Sequence, residues 1–148
     1  MAEQLIGRPV EILLVEDNPG DARLAEEALR DGKVLHNLVR AANGEEAMDV
    51  LRRRGDHADA ARPDLILLDL NLPRMHGREV LAAVRADEGL KGIPVIIMTT
   101  SEEDLDIQTT MDLGATSYIV KPLDMDQFLG VLRLLDNYWL ALVERPGD

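Results

Sequence analysis

Two adjacent carboxylates, Glu16 and Asp17, follow the apolar run Val10–Val15, and a third, Asp69, closes the run Leu65–Leu68. Thr99 follows Val95–Met98, and Lys121 with Pro122 follows Tyr118–Val120. Taken singly, each has an ordinary explanation. A Glu-Asp doublet after a strand is usually a solvated turn, Thr99 a β-branched strand residue, Lys121 a surface lysine and Pro122 a strand stop. Asp69 is harder to dismiss, because a carboxylate beside an apolar run is costly unless something binds it; its ordinary alternative is a helix or turn cap. Brought together, the set has one coherent chemistry. Three crowded carboxylates repel one another and favour protonation or a bound cation. Oxygen donors with room for water suit a hard ion such as Mg²⁺ (or Mn²⁺), which shares phosphate oxygens readily. An aspartate beside such an ion can attack a phosphoryl group and form an acyl phosphate. A lysine ammonium and a hydroxyl donor are what the charge on the transferred oxygens needs.

The elements around these residues would have to bring them to one place. Five short apolar runs, Val10–Val15, Leu38–Ala42, Leu65–Leu68, Val95–Met98 and Tyr118–Val120, mostly read as continuous rather than alternating, as strands buried on both faces of a parallel sheet do. Between them lie segments of helical spacing. Four open on capping-box patterns: Asn18-x-x-Asp21, Asn43-x-x-Glu46, Ser101-x-x-Asp104 and Asp124-x-x-Gln127. Pro19 stands where a helix tolerates a missing N–H. Another helix begins near Gly77 and runs through Val80, Leu81 and Val84, and Gly55–Pro63 is a long connecting loop. The order is β-α five times, an α/β domain with right-handed crossovers and helices on both sheet faces. In such a sheet all the strands' carboxyl ends share one edge, so Glu16, Asp17, Asp69, Thr99 and Lys121 should converge.

Composition narrows the function further. The chain has 148 residues, 46% hydrophobic and 30% charged, which fits one globular domain with one core. One Trp, two Tyr and one Phe leave the core to aliphatic side chains. A formal net charge of −12 argues against nucleic-acid binding. The absence of cysteine excludes disulfides, thiolate zinc sites and a cysteine nucleophile. His36, His57 and His76 show no paired ligand spacing, and no run approaches the ~18 apolar residues that span a bilayer. With no signal-peptide pattern, the expected location is the cytoplasm, without membrane association.

The motifs Val15-Glu16-Asp17-Asn18, Leu68-Asp69-Leu70-Asn71-Leu72-Pro73 with Gly77, Met98-Thr99-Thr100-Ser101 and Gly114-Ala115-x-x-Tyr118-x-x-Lys121-Pro122 together resemble the receiver domain of two-component response regulators over nearly the whole chain. The resemblance implies a flavodoxin-like (βα)5 three-layer sandwich with strand order 2-1-3-4-5, an order for which the chemotaxis member of the family is a standard example. It implies that Asp69 is the phosphoacceptor for a histidine kinase, that Asp17 binds the metal directly and Glu16 through water, and that Asn71 offers its backbone carbonyl. It assigns phosphoryl contacts to Thr99, Thr100 and Lys121, a switch pair to Thr99 and Tyr118, and a cis bond to Pro122. A narrower similarity is to stand-alone regulators that partner phytochromes. It rests on Asn18-Pro19-Gly20-Asp21, the Gly55–Pro63 loop, Asn71-Leu72-Pro73-Arg74, Thr99-Thr100-Ser101 and Tyr138-Trp139-Leu140, while Met75-His76 replaces the charged pair of that subgroup.

Other classes fare worse on the same residues. A hydrolase with a nucleophilic aspartate would need a second acid two residues after Asp69, where Asn71 stands. A flavodoxin-like electron carrier would need a phosphate loop after the first strand, and Glu16-Asp17 would repel the phosphate. A DNA-binding regulator would carry an output domain. The expectation is one receiver domain over 1–148, its core about 10–144 between a short flexible N-terminus and a C-terminal tail. It is expected to act as a phosphoacceptor signalling protein that assists its own phosphotransfer and slow dephosphorylation, not as a turnover enzyme.

The last helix, from Asp124 to about Val143, would extend roughly 30 Å. Phe128, Leu129, Leu132, Leu135 and Trp139 have core spacing. Val131, Leu134, Tyr138 and Leu142 make a second apolar set, commonly a protein contact. Receivers of the resembled family often pair through the fourth helix, fifth strand and fifth helix, so a homodimer through that face is expected.

Overall fold

A computed structural model describes residues 9–31, 36–70, 72, 75–100, 104–121 and 124–132. Five strands alternate with five helices: β1 (Val10–Val15), α1 (Pro19–Asp31), β2 (His36–Ala41), α2 (Gly44–Leu51), β3 (Leu65–Asp69), α3 (Gly77–Ala86), β4 (Val95–Thr99), α4 (Asp104–Asp112), β5 (Ser117–Val120) and α5 (Met125–Leu132). All pairings are parallel and the sheet order is β2-β1-β3-β4-β5, the flavodoxin-like order expected.

The continuous apolar runs of β1, β3 and β4 are what a sheet covered on both faces needs, and these strands are almost wholly buried. Successive residues divide between two cores. Leu13, Val15, Ile66, Leu68 and Ile97 pack with Met48 and Leu51 of α2 and Val80, Leu81 and Val84 of α3. Ile12, Leu14, Leu67, Ile96 and Met98 pack with Ala22, Ala25 and Leu29 of α1 and Phe128 of α5. The result is three layers with the sheet in the middle. The expectation of double burial fails at the edges: β2 begins at His36 rather than Leu38, ends at Ala41 rather than Ala42, and leaves Asn37, Val39 and Arg40 exposed. An edge strand has only one hydrogen-bonded neighbour, so its side chains meet solvent.

The helix starts are set by side chains. Asn18 Oδ1 accepts the Asp21 N–H at 3.0 Å, and Asn43 Oδ1 accepts the Glu46 N–H at 2.8 Å. The reciprocal halves differ from the simple box. Glu46 reaches back to the Ala42 N–H at 2.7 Å, one residue before the cap, and the Asn18 N–H goes to Glu16 Oε2 at 3.2 Å instead of to Asp21. His76, unforeseen as a cap, starts α3 by accepting the Arg78 N–H at 3.1 Å on Nδ1. Asp124 accepts the Asp126 N–H at 2.7 Å ahead of α5. Ser101 lies outside the described residues, as does the helix expected beyond Leu132. The Gly55–Pro63 connection contains a short 3-10 turn, Gly55–His57. Far from the strand-end edge, the Arg85 guanidinium donates to the carbonyls of Gly114, Lys91 and Ile93 and so ties the α3–β4 connection to the start of β5. Burial lowers its pKa.

Candidate functional site

At the carboxyl edge of the sheet, β1 delivers Glu16 and Asp17, and β3 delivers Asp69 in its last position. These three carboxylates each place an oxygen within 4.8 Å of the others. Lys121, immediately after β5, extends its ammonium into the group. It lies 2.5 Å from Glu16 Oε1, 3.1 Å from Asp69 Oδ2 and 3.3 Å from Asp21 Oδ2. Glu16 and Asp69 are buried and Asp17 is exposed, so the cluster has a closed floor and one side open to solvent.

The electrostatics follow from that burial. Loss of solvent pushes the Glu16 carboxyl up to about 7, against the lowering effect of its Lys121 partner and with help from the nearby Asp69 charge. Burial also works against the Lys121 ammonium, yet bonding to Glu16 and Asp69 and their negative charges outweigh it and hold its pKa up at about 12. Three carboxylates, Glu16, Asp21 and Asp69, share the Lys121 ammonium, and Asp17 adds a fourth beside Glu16 and Asp69, leaving an excess of negative charge when all are ionised. An all-oxygen donor set with one exposed member and surplus negative charge fits a hard divalent cation. Glu16, Asp17 and Asp69 are the side chains that would hold it.

Most of the residues singled out in the sequence arrive at this edge. Thr99 is buried at the end of β4, and its carbonyl accepts the Lys121 N–H at 2.9 Å, which locks the β5 end to the β4 end. Thr100 follows it and is exposed. Tyr118 sits three residues before Lys121 in β5, opposite Ile97, and is 41% exposed, so its side chain is turned outward. Asn71 and Pro122 lie outside the described residues, and so do the side chains of Val131, Leu134, Tyr138 and Leu142.

Two contributors escaped the sequence reading. Asp21 had the look of a capping acid, yet its carboxylate is the third partner of Lys121; only the fold shows that the first turn of α1 faces the end of β5. Arg40, the penultimate residue of β2, donates from Nε to the Glu16 carbonyl at 3.0 Å and from a terminal nitrogen to the Asp17 carbonyl at 3.1 Å. The one available signal was its place beside the β1 end in a 2-1-3 sheet.

This fold and this edge define a response regulator receiver domain, and the chain belongs to that family, whose model matches residues 12–133. Within it, the likeness is to phytochrome response regulators. The response regulator Rcp1 of Synechocystis sp. is 38% identical over 139 residues, 94% of this chain and 95% of that protein. The bacteriophytochrome response regulator AtBRR superposes with a TM-score of 0.83 at 36% identity, covering 93% of this chain and 99% of its own. The phosphorylated cyanobacterial phytochrome response regulator RcpA gives 0.75 at 44% identity, with 93% of this chain and 99% of its own covered. Rcp1 itself has been solved in a Mn²⁺-bound form. Phosphorylation on aspartate is general for the family. Among the described residues, no helix is long and apolar enough to cross a membrane.

Proposed function

We propose that this protein is a phosphoacceptor of a two-component system, taking a phosphoryl group on Asp69 from a histidine kinase, with a phytochrome as the kinase class its relatives favour. The observation that carries the reading is the buried Asp69 carboxylate held by Lys121 beside Glu16 and Asp17, at a strand end with one open side. An oxygen of Asp69 attacks phosphorus. The P–N bond to the donor histidine breaks as the new P–O bond forms, and the imidazole leaves with the electron pair. Lys121, already on Asp69 Oδ2, stays with the charge as it spreads to the phosphoryl oxygens. Bound Mg²⁺ or Mn²⁺ supplies charge neutralisation of those oxygens. Asp17 would bind it directly, Glu16 through water and Asn71 through its backbone carbonyl. Thr99 and Thr100 contact the phosphoryl group. Thr99 and Tyr118 form the switch: the outward Tyr118 is one of two states, and phosphorylation draws Thr99 toward the phosphoryl group and shifts Tyr118 inward. Output is protein binding through α4, β5 and α5, including self-association, in the cytoplasm.

Asp69→Asn tests the nucleophile. It keeps the side-chain volume but removes the nucleophilic carboxylate, so phosphorylation by acetyl phosphate or by a kinase should be lost. Intact-mass spectrometry reads the adduct directly. Stoichiometric labelling of Asp69→Asn would overturn the assignment.

A further inference from the structure

The proposed metal-binding acids, Glu16 and Asp17, sit on a loop, and loop residues bring no positional order of their own. Their main chain is nonetheless tied down from one side. The Glu16 N–H donates to the Ala41 carbonyl at 3.0 Å, extending the β1–β2 ladder one residue past the strand. The Arg40 guanidinium then takes the carbonyls of Glu16 and Asp17 together, at 3.0 and 3.1 Å, from a residue 24 and 23 positions away in sequence. A planar fork on two successive carbonyls restrains rotation of the peptide between them, which a single flexible donor does not. Resting on the reading of Glu16 and Asp17 as metal ligands, we propose that Arg40 is a positioning residue: its fork fixes the Glu16–Asp17 backbone so that both carboxylates are already in place for the divalent cation. It touches neither the phosphoryl group nor, through any side chain, the acids themselves.

The competing roles of an exposed arginine make different demands. As a mere positive charge near the site, Arg40 would repel a divalent cation, and removing it would strengthen metal binding. As a contact for a partner protein, it borders the groove of about 380 Å³ against Arg23, Glu26 and Glu27 of α1. In that role it would alter transfer from a kinase but not labelling by a small donor. Only the clamp requires the loop itself to loosen when the fork is removed.

The experiment compares wild type with Arg40→Lys and Arg40→Gln. Hydrogen exchange at the Glu16 and Asn18 amides, which donate to the Ala41 carbonyl and to Glu16 Oε2, is followed in EDTA, Mg²⁺ binding by calorimetry, and labelling with acetyl phosphate at subsaturating Mg²⁺. Expected are faster exchange at those amides in both variants and Mg²⁺ affinity about tenfold weaker, the lower end of the effect of substitutions that misorient a metal ligand. Arg40→Lys keeps the charge without the fork and should fall with Arg40→Gln or between it and wild type. Labelling should recover at saturating Mg²⁺, separating positioning from loss of the nucleophile. Unchanged exchange in EDTA would overturn the clamp, as would tighter Mg²⁺ binding by Arg40→Gln with Arg40→Lys like wild type. Wild type that binds no Mg²⁺ would instead overturn the metal reading on which the proposal rests, a result the exchange data distinguish from failure of the clamp.

Discussion

Glu16 has the most to reveal about the site in its metal-free state. Its carboxyl keeps a proton in the folded protein up to about 7, whereas its ordinary value is 4.5. Between those values the folded state binds more protons than the unfolded chain, so by linkage this group's contribution to stability falls as pH rises through that window. The upper bound is about 3 kcal/mol, reduced by water reaching the open Asp17 side. In EDTA, Glu16→Gln, which stays neutral, should therefore gain on wild type as pH is raised from about 5 to 8. Saturating Mg²⁺ should reverse the trend, because metal binding favours the carboxylate. Urea denaturation across that range checks both statements, and a Gln variant that loses ground toward alkaline pH would contradict the raised carboxyl. At this scale much was legible in the sequence. Glu16, Asp17, Asp69, Thr99 and Lys121 each sit just past or at the end of an apolar run, and a parallel sheet sends all such ends to one edge. Asp21 and Arg40 were not, because their importance depends on how far a side chain reaches across neighbouring elements, which no local pattern encodes.

Among the elements, the closest approaches support the edge from below. A Cβ on Gly77, the first residue of α3, would lie 2.5 Å from the Asp69 carbonyl oxygen and 2.8 Å from the Leu70 Cα. One on Gly44, at the start of α2, would fall on the Met75 carbonyl and Cβ. These neighbours are backbone atoms, or a Cβ held by one, so they cannot rotate aside. Gly77→Ala and Gly44→Ala should each cost about 1–3 kcal/mol as overpacking, a loss of several degrees in Tm at roughly 3 °C per kcal/mol for a domain of this size. Gly92→Ala, where a Cβ meets nothing within 4 Å, is the control. Gly77→Ala should also slow labelling by acetyl phosphate, since relief must come by moving the Asp69 main chain; thermal melts as stable as the control would refute the packing argument. The start of α3 at Gly77 was readable from the spacing of Val80, Leu81 and Val84. Its His76 cap was not, because a histidine becomes a cap only when the chain presents Nδ1 to the right N–H. The β2 boundary was misplaced for a related reason: His36 and Asn37 are polar, and only pairing with Val10 and Glu11 makes them strand.

For the whole molecule, alternation of apolar runs and capped helices was enough to give the sheet order once the family resemblance was added, and that order places β5 at an edge beside β4. Such an edge needs cover or a partner. Three of the five large hydrophobic side chains exposed among the described residues, Met111, Leu113 and Tyr118, lie between the end of α4 and β5. The sequence adds Val131, Leu134, Tyr138 and Leu142, a second apolar set at helical spacing beside the one to which buried Phe128 belongs. Single exposed hydrophobics are ordinary, whereas an apolar set shared between neighbouring elements would mark a contact. A symmetric homodimer through α4, β5 and α5 would satisfy both requirements, because an isologous interface lets the same apolar face cover itself. The double substitution Leu134→Asp/Tyr138→Asp would put charge into the second apolar set of the sequence, remote in the chain from Asp69. Sedimentation velocity at micromolar concentration should show dimeric wild type and a monomeric double variant, and acetyl phosphate should label both. Monomeric wild type, phosphorylated and unphosphorylated alike, would remove the dimer and leave Met111, Leu113 and Tyr118 to a different protein partner.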